Sequence, residues 1–171
     1  SFFTRALREG VRPVDADPAA FVAPCDGAWG ESGRVQDGLL LQIKGRPYSL
    51  AALLGDAELA RSFEGGDFAT FYLSPRDYHR FHTPCDLRVL RATHIPGSLW
   101  PVNRAGLEGI PGLFAENERF CASMRTGADI GAGGRLCLVA VGATMVGKVR
   151  VVFDELCSNR PAARRLQREY A

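Results

Sequence analysis

The sequence lacks the features that mark several large classes of protein. Its five cysteines are scattered and none stands in a C-x-x-C pair. This pattern argues against a zinc ribbon or a disulfide scaffold, and it favours a cytosol-facing protein whose thiols are reduced. The longest apolar run, Leu136 to Gly147, is interrupted by Gly142 and is shorter than the roughly 20 residues that a membrane-spanning helix needs. Repeats and low-complexity segments are also missing.

The sequence has little net charge. A formal value of +2 over 171 residues does not suggest nucleic-acid binding, because such proteins usually carry a strongly basic surface. An apolar fraction of 46% and a charged fraction of 23% are typical of a globular protein with a packed core. We therefore expect a single domain over residues 1–171.

Local patterns predict short helices between several strands. Polar capping residues, Asp-Gly and Pro-Gly pairs and apolar runs set the expected bounds. The expected elements are a helix over Phe2–Leu7, a hairpin over Arg34–Ile43 turning at Asp37-Gly38, helices over Leu50–Leu54 and Ala57–Phe63 capped by Ser49 and Asp56, strands over Phe68–Leu73, Leu87–Thr93, Leu136–Val141 and Val146–Phe153, a type II turn at Pro96-Gly97, and a helix over Asn159–Tyr170. Their sum is an α+β fold with a strand-rich mixed or antiparallel sheet core and short helices.

Two of the three histidines stand close together in the stretch L-S-P-R-D-Y-H-R-F-H-T-P-C, from Leu73 to Cys85. Ser74 and Asp77 form a pattern typical of a helix start, and Pro84 limits that helix to a turn or two. Such a short element leaves the imidazoles of His79 and His82 near one another.

Three interpretations of these histidines stay open on local pattern alone. Both could be half-exposed polar residues at a strand–helix junction. His79, His82 and Cys85 could offer three ligands to zinc. Alternatively, one imidazole could act as a base oriented by a carboxylate while the other donates a proton to a substrate.

Longer blocks of the sequence resemble the phosphatidylserine decarboxylase family in order and spacing. They are V-A-P-C-D-G, Y-L-S-P-R-D-Y-H-R-F-H-T-P-C, I-P-G-S-L-W-P-V-N, G-L-F-A-E-N-E-R-F and V-G-A-T-M-V-G. The resemblance covers about Phe2 to Phe153, and the tail over residues 154–171 is not matched with it.

The resemblance implies a pyruvoyl enzyme that converts phosphatidylserine to phosphatidylethanolamine and CO2 through a Schiff base. Its proenzyme cleaves itself at a Gly-Ser bond in an L-G-S-T motif, and the serine becomes a pyruvoyl group on a separate small chain. By the same resemblance, Asp26 and His82 activate the cleaving serine, and His79 takes part in decarboxylation. The chemistry agrees with these roles, because a serine hydroxyl needs a base to attack a peptide bond and imidazole exchanges protons near neutral pH.

The L-G-S-T motif itself is missing from this sequence, and Gly97-Ser98 does not replace it because Leu99 follows. We therefore expect the large chain of such an enzyme, with a small pyruvoyl-bearing chain from the same proenzyme as its partner. The resemblance further implies a peripheral protein on a phospholipid membrane surface at the cytoplasmic face of the cell membrane; a homodimer is left open. The alternatives are a non-enzymatic membrane-surface scaffold, using Phe2-Phe3 and Arg160–Arg168, and the metal-binding protein described above.

Overall fold

A computed structural model describes residues 3–42, 46–127, 134–160 and 164–170. The strands are β1 Ala28–Arg34, β2 Leu39–Gln42, β3 Arg46–Ser49, β4 Asp67–Tyr72, β5 Leu87–Ile95, β6 Arg119–Thr126, β7 Arg135–Val141 and β8 Leu166–Glu169. The helices are α1 Leu50–Leu54, α2 Ala57–Arg61, α3 Arg104–Gly109 and α4 Leu113–Glu116.

The strands of the described residues form three antiparallel sheets. The largest has the order β7-β6-β5-β8, and the pairs β1-β4 and β2-β3 form the other two. Short helices connect or flank these strands, so the predicted α+β class with a strand-rich core is confirmed.

The two predicted helix starts at Ser49 and Asp56 are confirmed. The Ser49 hydroxyl accepts a hydrogen bond from the Ala52 N–H at 3.2 Å, and the Asp56 carboxylate accepts one from the Leu59 N–H at 2.9 Å. Each bond satisfies a backbone donor that has no partner inside its helix. Helix α1 ends at Gly55, whose φ of 63° is left-handed and suits glycine.

The large sheet is covered on both faces because side chains alternate along its strands. On one face Ala92, Phe120 and Met124 pack against Leu156. On the other, Cys121 packs against helix α1, and this burial raises the pKa of its thiol to about 12.

Three blocks of the sequence meet at Asn117, whose side chain is fully buried. Its carbonyl oxygen accepts a hydrogen bond from the Trp100 N–H at 2.9 Å. Its amide nitrogen donates to the carbonyl oxygens of Trp100 at 2.9 Å and Gly142 at 2.8 Å. One side chain thus connects the loop after β5, the start of β6 and the end of β7.

The predicted type II turn at Pro96-Gly97 is wrong. Gly97 does not have the positive φ that this turn requires at its third residue. A Cβ at Gly97 would instead lie 2.4 Å from the carbonyl oxygen of Glu116. Glycine is needed here because the chain passes close to the end of α4, where Ser98 forms a parallel bridge with Asn117.

The buried guanidinium of Arg119 connects the helices to the sheet. It donates hydrogen bonds to the carbonyl oxygens of Ala52, Leu53, Ala115 and Asn117, at 2.6 to 2.8 Å. Three of these carbonyls belong to α1 and α4, where the last turn of a helix leaves its carbonyls without partners. Arg119 therefore fixes the ends of two helices against the first residue of β6.

The predictions for the first part of the chain are wrong in two places. Residues 3–10 form turns and irregular chain rather than a helix, and Phe2 lies outside the described residues. The Asp37-Gly38 turn is present, with φ values of 55° and 68°, and an antiparallel bridge between Gln36 and Leu39 closes it, but the two expected strands do not pair beyond that bridge. Instead Arg34 pairs with Asp67 and Leu39 pairs with Ser49, so the turn joins two different sheets.

Two predicted elements near the C-terminus are also wrong. Residues 146–153 contain only isolated bridges, Ala143 with Val146 and Arg150 with Cys157, and form no continuous strand. The expected helix over residues 159–170 is replaced by strand β8, which pairs with β5, while residues 161–163 lie outside the described part. Pairing with a distant strand outweighs the helical preference of this segment, whose alanine, arginine, leucine and glutamine residues are good helix formers.

Replacing Asn117 with alanine is expected to destabilise the fold by about 3–4 kcal/mol, because three buried backbone groups lose their partner at once. Urea denaturation measures the free energy of unfolding. The matched control is Asn103→Ala. Asn103 is exposed and accepts one hydrogen bond, from Gly106 N–H at the start of α3, so its loss is expected to cost about 1 kcal/mol. Equal losses in the two variants would contradict the central role of Asn117.

Candidate active site

The loop between β4 and β5 contains both histidines of the sequence motif. It begins with one tight turn, in which the Ser74 N–H donates to the Asp77 carboxylate at 2.6 Å and the Asp77 N–H donates to the Ser74 carbonyl at 2.9 Å. The helix that this pattern predicted does not continue beyond that turn. The chain instead becomes extended toward Pro84.

This extended part of the loop runs beside the segment that leads into β1. The His82 N–H donates to the Pro24 carbonyl at 2.7 Å, and the Val22 N–H donates to the Pro84 carbonyl at 2.8 Å. These two bonds exclude a helix at His82, because they use its backbone for pairing. They also bring the segment containing Asp26 next to the histidine loop.

The imidazole of His79 is held by two neighbours. Its Nδ1 lies 2.9 Å from the Asp77 carbonyl oxygen, and because a carbonyl only accepts, Nδ1 carries the proton. The Phe3 ring contacts the imidazole edge-on, with 4.6 Å between the ring centroids. Nε2 has no hydrogen-bond partner within the described part of the chain, so it remains available to a substrate.

The imidazole of His82 is bonded to a buried tyrosine. Its Nε2 lies 2.9 Å from the Tyr78 hydroxyl, and the two rings are stacked with an angle of 7° between their planes. Tyr78 is only 5% exposed, whereas His82 is exposed. Sequence analysis did not predict this bond. The four-residue spacing from Tyr78 to His82 was the only available signal.

Asp26 lies at the entrance to β1 and is bound by an arginine. The Arg12 guanidinium donates from Nε to both carboxylate oxygens, at 3.0 and 3.1 Å, and from a terminal nitrogen at 2.5 Å. This bonding holds the pKa of Asp26 below its ordinary value. The structure therefore keeps Asp26 ionised at neutral pH.

Gly27 allows Asp26 to approach the histidine loop. A Cβ at Gly27 would lie 3.1 Å from the Phe71 Cβ and 3.2 Å from the Tyr72 carbonyl oxygen. A side chain there would push β1 away from the last residues of β4, which lead directly into the loop. The glycine of the C-D-G block is thus explained by close packing.

The structure brings the three predicted site residues into one region but does not connect them directly. In the described residues, Asp26 and His82 share no hydrogen bond: Arg12 binds the carboxylate and Tyr78 binds the imidazole. The expectation that Asp26 orients His82 stays a prediction. The two residues are nevertheless linked through the backbone bond between His82 and Pro24.

A metal site at His79, His82 and Cys85 is not supported. Across the described ranges, no group of three or more His, Cys, Asp and Glu side chains is arranged to hold a metal ion. The Nδ1 of His79 and the Nε2 of His82 are engaged by Asp77 and Tyr78 respectively.

The third histidine, His94, forms a buried pair that sequence analysis missed. Its Nε2 lies 2.7 Å from Glu118 Oε1, and the two side chains are 2% and 7% exposed. The same Glu118 oxygen accepts a hydrogen bond from the Asn159 N–H at 2.7 Å. The pair belongs to the large sheet beside Asn117 and fixes the chain that follows residue 158.

Replacing Arg12 with glutamine is expected to raise the pKa of Asp26 toward the ordinary aspartate value, because the ionised carboxylate loses its cationic donor. The Arg12 interaction stabilises the fold above the ordinary aspartate pKa, and this contribution disappears as the pH falls through the lowered pKa of Asp26. Carboxyl-carbon NMR titration measures the change. The control is Arg34→Gln, whose partner Asp67 is exposed; an unchanged Asp26 titration in Arg12→Gln would contradict the assignment.

Comparison with known proteins identifies the family. The family described as phosphatidylserine decarboxylase matches residues 1–165. A phosphatidylserine decarboxylase proenzyme of Acidovorax ebreus is 52% identical over 153 residues, covering 89% of this chain and 52% of the relative. Proenzymes of the same name from Herminiimonas arsenicoxydans and Anaeromyxobacter are 48% and 44% identical, covering 89% and 99% of this chain and 50% and 59% of their own lengths. The chain thus spans about half the length of these relatives, and it belongs to the phosphatidylserine decarboxylase family.

Proposed function

We propose that this chain is the large, non-pyruvoyl part of a phosphatidylserine decarboxylase, which converts phosphatidylserine to phosphatidylethanolamine and CO2. The observation that carries the proposal is the convergence of His79, His82 and Asp26 on one loop and its neighbouring segment. The remaining half of the precursor would supply a small chain with a pyruvoyl group. That chain would form by self-cleavage at a serine.

The residues present fit such a group. When bound, a pyruvoyl carbonyl acts as an electron sink for the electrons left by the departing CO2. This chemistry requires a nearby proton donor and no metal ligands. The half-buried imidazole of His79, with its Nε2 available, meets that requirement.

His79 is proposed to act as an imidazolium that delivers its Nε2 proton to the substrate carbon after CO2 has left, which returns the ring to the neutral form with its proton on Nδ1. The Asp77 carbonyl fixes the ring through Nδ1, and Phe3 contacts it edge-on. These contacts place Nε2 as the nitrogen that exchanges a proton with the substrate. Positioned acid catalysis of this kind contributes roughly 10²- to 10⁴-fold to a rate.

His82 is proposed to act as the base that activates the cleaving serine. In this role Nε2 donates to the Tyr78 hydroxyl oxygen, which fixes the ring and leaves Nδ1 to take the serine proton. Asp26 provides a negative charge on the adjacent segment. Its carboxylate stabilises the imidazolium that forms on His82 when the serine is deprotonated.

Arginines near His79 support a substrate with an anionic phosphate. Arg5 donates to the Arg76 carbonyl at 3.0 Å, and Arg80 donates to the Thr4 carbonyl at 2.6 and 3.1 Å. These bonds dock the N-terminal segment over the histidine loop and bring the guanidinium groups of Arg5 and Arg80 to it. Guanidinium groups bind phosphate by charge-assisted hydrogen bonds.

We propose that the same cationic region faces anionic lipid at the cytoplasmic side of the cell membrane. A basic residue close to such a surface contributes about 1 kcal/mol. Near the C-terminus, Arg168 is less suited to this role because its guanidinium is paired with the Asp154 carboxylate at 2.8 Å. Among the described residues, no helix is long and apolar enough to cross a membrane.

Substituting each loop histidine in the full-length precursor separates the two proposed steps. His82→Ala is expected to block self-cleavage, because the serine loses its base. His79→Ala is expected to permit cleavage but to lower CO2 release by at least about 100-fold. Gel analysis of precursor conversion measures the first step, and release of labelled CO2 from serine-labelled lipid measures the second.

The control for both histidine variants is Thr83→Ala, because Thr83 is exposed and lies between His82 and Pro84. It is expected to cleave and to decarboxylate as the unmodified precursor does. Cleavage in His82→Ala at the normal rate, or full activity in His79→Ala, would contradict the proposed roles.

Removing the Tyr78 hydroxyl tests its part in positioning His82. Tyr78→Phe keeps the buried ring but loses the bond to Nε2, so self-cleavage is expected to slow by about 5- to 10-fold, the equivalent of one hydrogen bond. Tyr72→Phe is the matched control, because Tyr72 is 40% exposed. A time course of cleavage at several pH values measures the effect; an unchanged rate and pH profile in Tyr78→Phe would refute it.

A further inference from the structure

Strand β7 lies at one edge of the large sheet. The strand order is β7-β6-β5-β8, so within the described ranges only β6 pairs with β7. An edge strand presents a row of unpaired backbone donors and acceptors. Such an edge can accept a further strand.

The two edges of this sheet differ strongly in sequence. From Leu136 to Val141, β7 reads L-C-L-V-A-V, and each of these residues is half-buried. Strand β8 is shorter and reads L-Q-R-E, with its last three residues exposed. Exposed edges usually carry charges, proline or a bulge, and β8 follows this rule, whereas β7 has the continuous apolar sequence of an interior strand.

The hydrogen bonds at the ends of β7 show which backbone groups face outward. The Thr126 N–H donates to the Gly134 carbonyl at 3.0 Å, and the Gly142 N–H donates to the Glu118 carbonyl at 2.8 Å. Bonded and non-bonded pairs alternate along an antiparallel ladder. Between these two ends, the backbone groups of Cys137, Val139 and Val141 therefore point away from β6.

We propose that the free edge of β7 pairs with a strand from the remaining half of the same precursor. The inference rests on the proposed function, which requires a second chain. It is favoured by the length of the relatives, since this chain covers only 50–59% of them. The partner strand would be apolar on both faces, because both faces of β7 are half-buried.

Hydrogen exchange resolved by NMR tests the pairing directly. In the chain alone, the outward amides of Cys137, Val139 and Val141 are expected to exchange faster than the inward amides of Leu138 and Ala140. In the full-length precursor or its processed complex, the outward amides are expected to slow by at least tenfold and to approach the inward ones. Fast outward exchange in the precursor would overturn the proposal.

A second copy of this chain is the competing occupant of the edge. Protection of the outward amides in the chain alone that rises with its concentration would assign the edge to a homodimer and overturn the proposal. Hydrogen exchange and decarboxylase activity test different proposals and can fail independently. An inactive precursor with protected amides would refute the proposed decarboxylase and leave the strand pairing intact, whereas an active one with unprotected amides would refute the pairing alone.

Proline substitution gives a second measurement. Val139→Pro removes an N–H that makes no bond to β6, and proline is tolerated at such edge positions. In the precursor it is expected to abolish protection at Cys137 and Val141. The matched control is Gln167→Pro on β8. The Tyr170 N–H donates to the Leu90 carbonyl, and bonded and non-bonded pairs alternate from there along the β5–β8 ladder, so the Gln167 N–H points away from β5. Retained protection in Val139→Pro would contradict the proposal. If that variant does not fold, the hydrogen-exchange rates of the unmodified precursor test the proposal instead.

Discussion

A single buried amide, that of Asn117, is the constraint on which the rest of the structure depends. It bonds to Trp100 and Gly142 and so joins segments that lie far apart in the chain. Its neighbours extend the same junction, since Glu118 binds His94 and Arg119 binds the ends of two helices. Burying so many polar groups is favourable only because nearly all are paired. The three sequence blocks that contain Trp100, Asn117 and Gly142 are therefore packed together at one buried junction.

The candidate site depends on this junction only indirectly. Its loop connects β4 to β5, and β5 is held in the large sheet by β6 and β8. The loop itself is shaped by backbone bonds to residues 22–24 and by the side chains of Asp77 and Tyr78. His79 and His82 thus lie on irregular chain whose two ends are anchored to strands. This arrangement is common where a rigid sheet supports chemistry on loops.

Sequence analysis succeeded where the signal is local. The caps at Ser49 and Asp56 and the strands β4, β5 and β7 were predicted because adjacent residues determine them. It failed where distant contacts decide the conformation. Residues 3–10 are held by bonds to Arg76 and Arg80, and β8 exists because β5 offers it an edge. Gly97 was assigned to a turn because its real constraint, the carbonyl of Glu116, lies 19 residues away in sequence.

The site shows the same division. His79 and His82 were identified from their motif, and the fold places them on one loop. The bonds from Arg12 to Asp26 and the buried pair of His94 with Glu118 were missed, because no short pattern predicts a contact between separate segments. The bond from Tyr78 to His82 was also missed, although only four residues separate the two in one loop. The role of Asp26 beside His82 came from resemblance to the family and stays a prediction.

The buried thiols of the large sheet have a practical consequence. Burial raises the pKa of Cys121 to about 12 and that of Cys137 well above its ordinary value, and the thiolate is the form that reacts with alkylating reagents. Cys121 is also only 3% exposed, so its alkylation at neutral pH is expected to be slow while its strand is closed, whereas Cys137 is half-buried. Alkylation of Cys121 would therefore report the opening of β6, so the protein contains a natural probe of its own local unfolding.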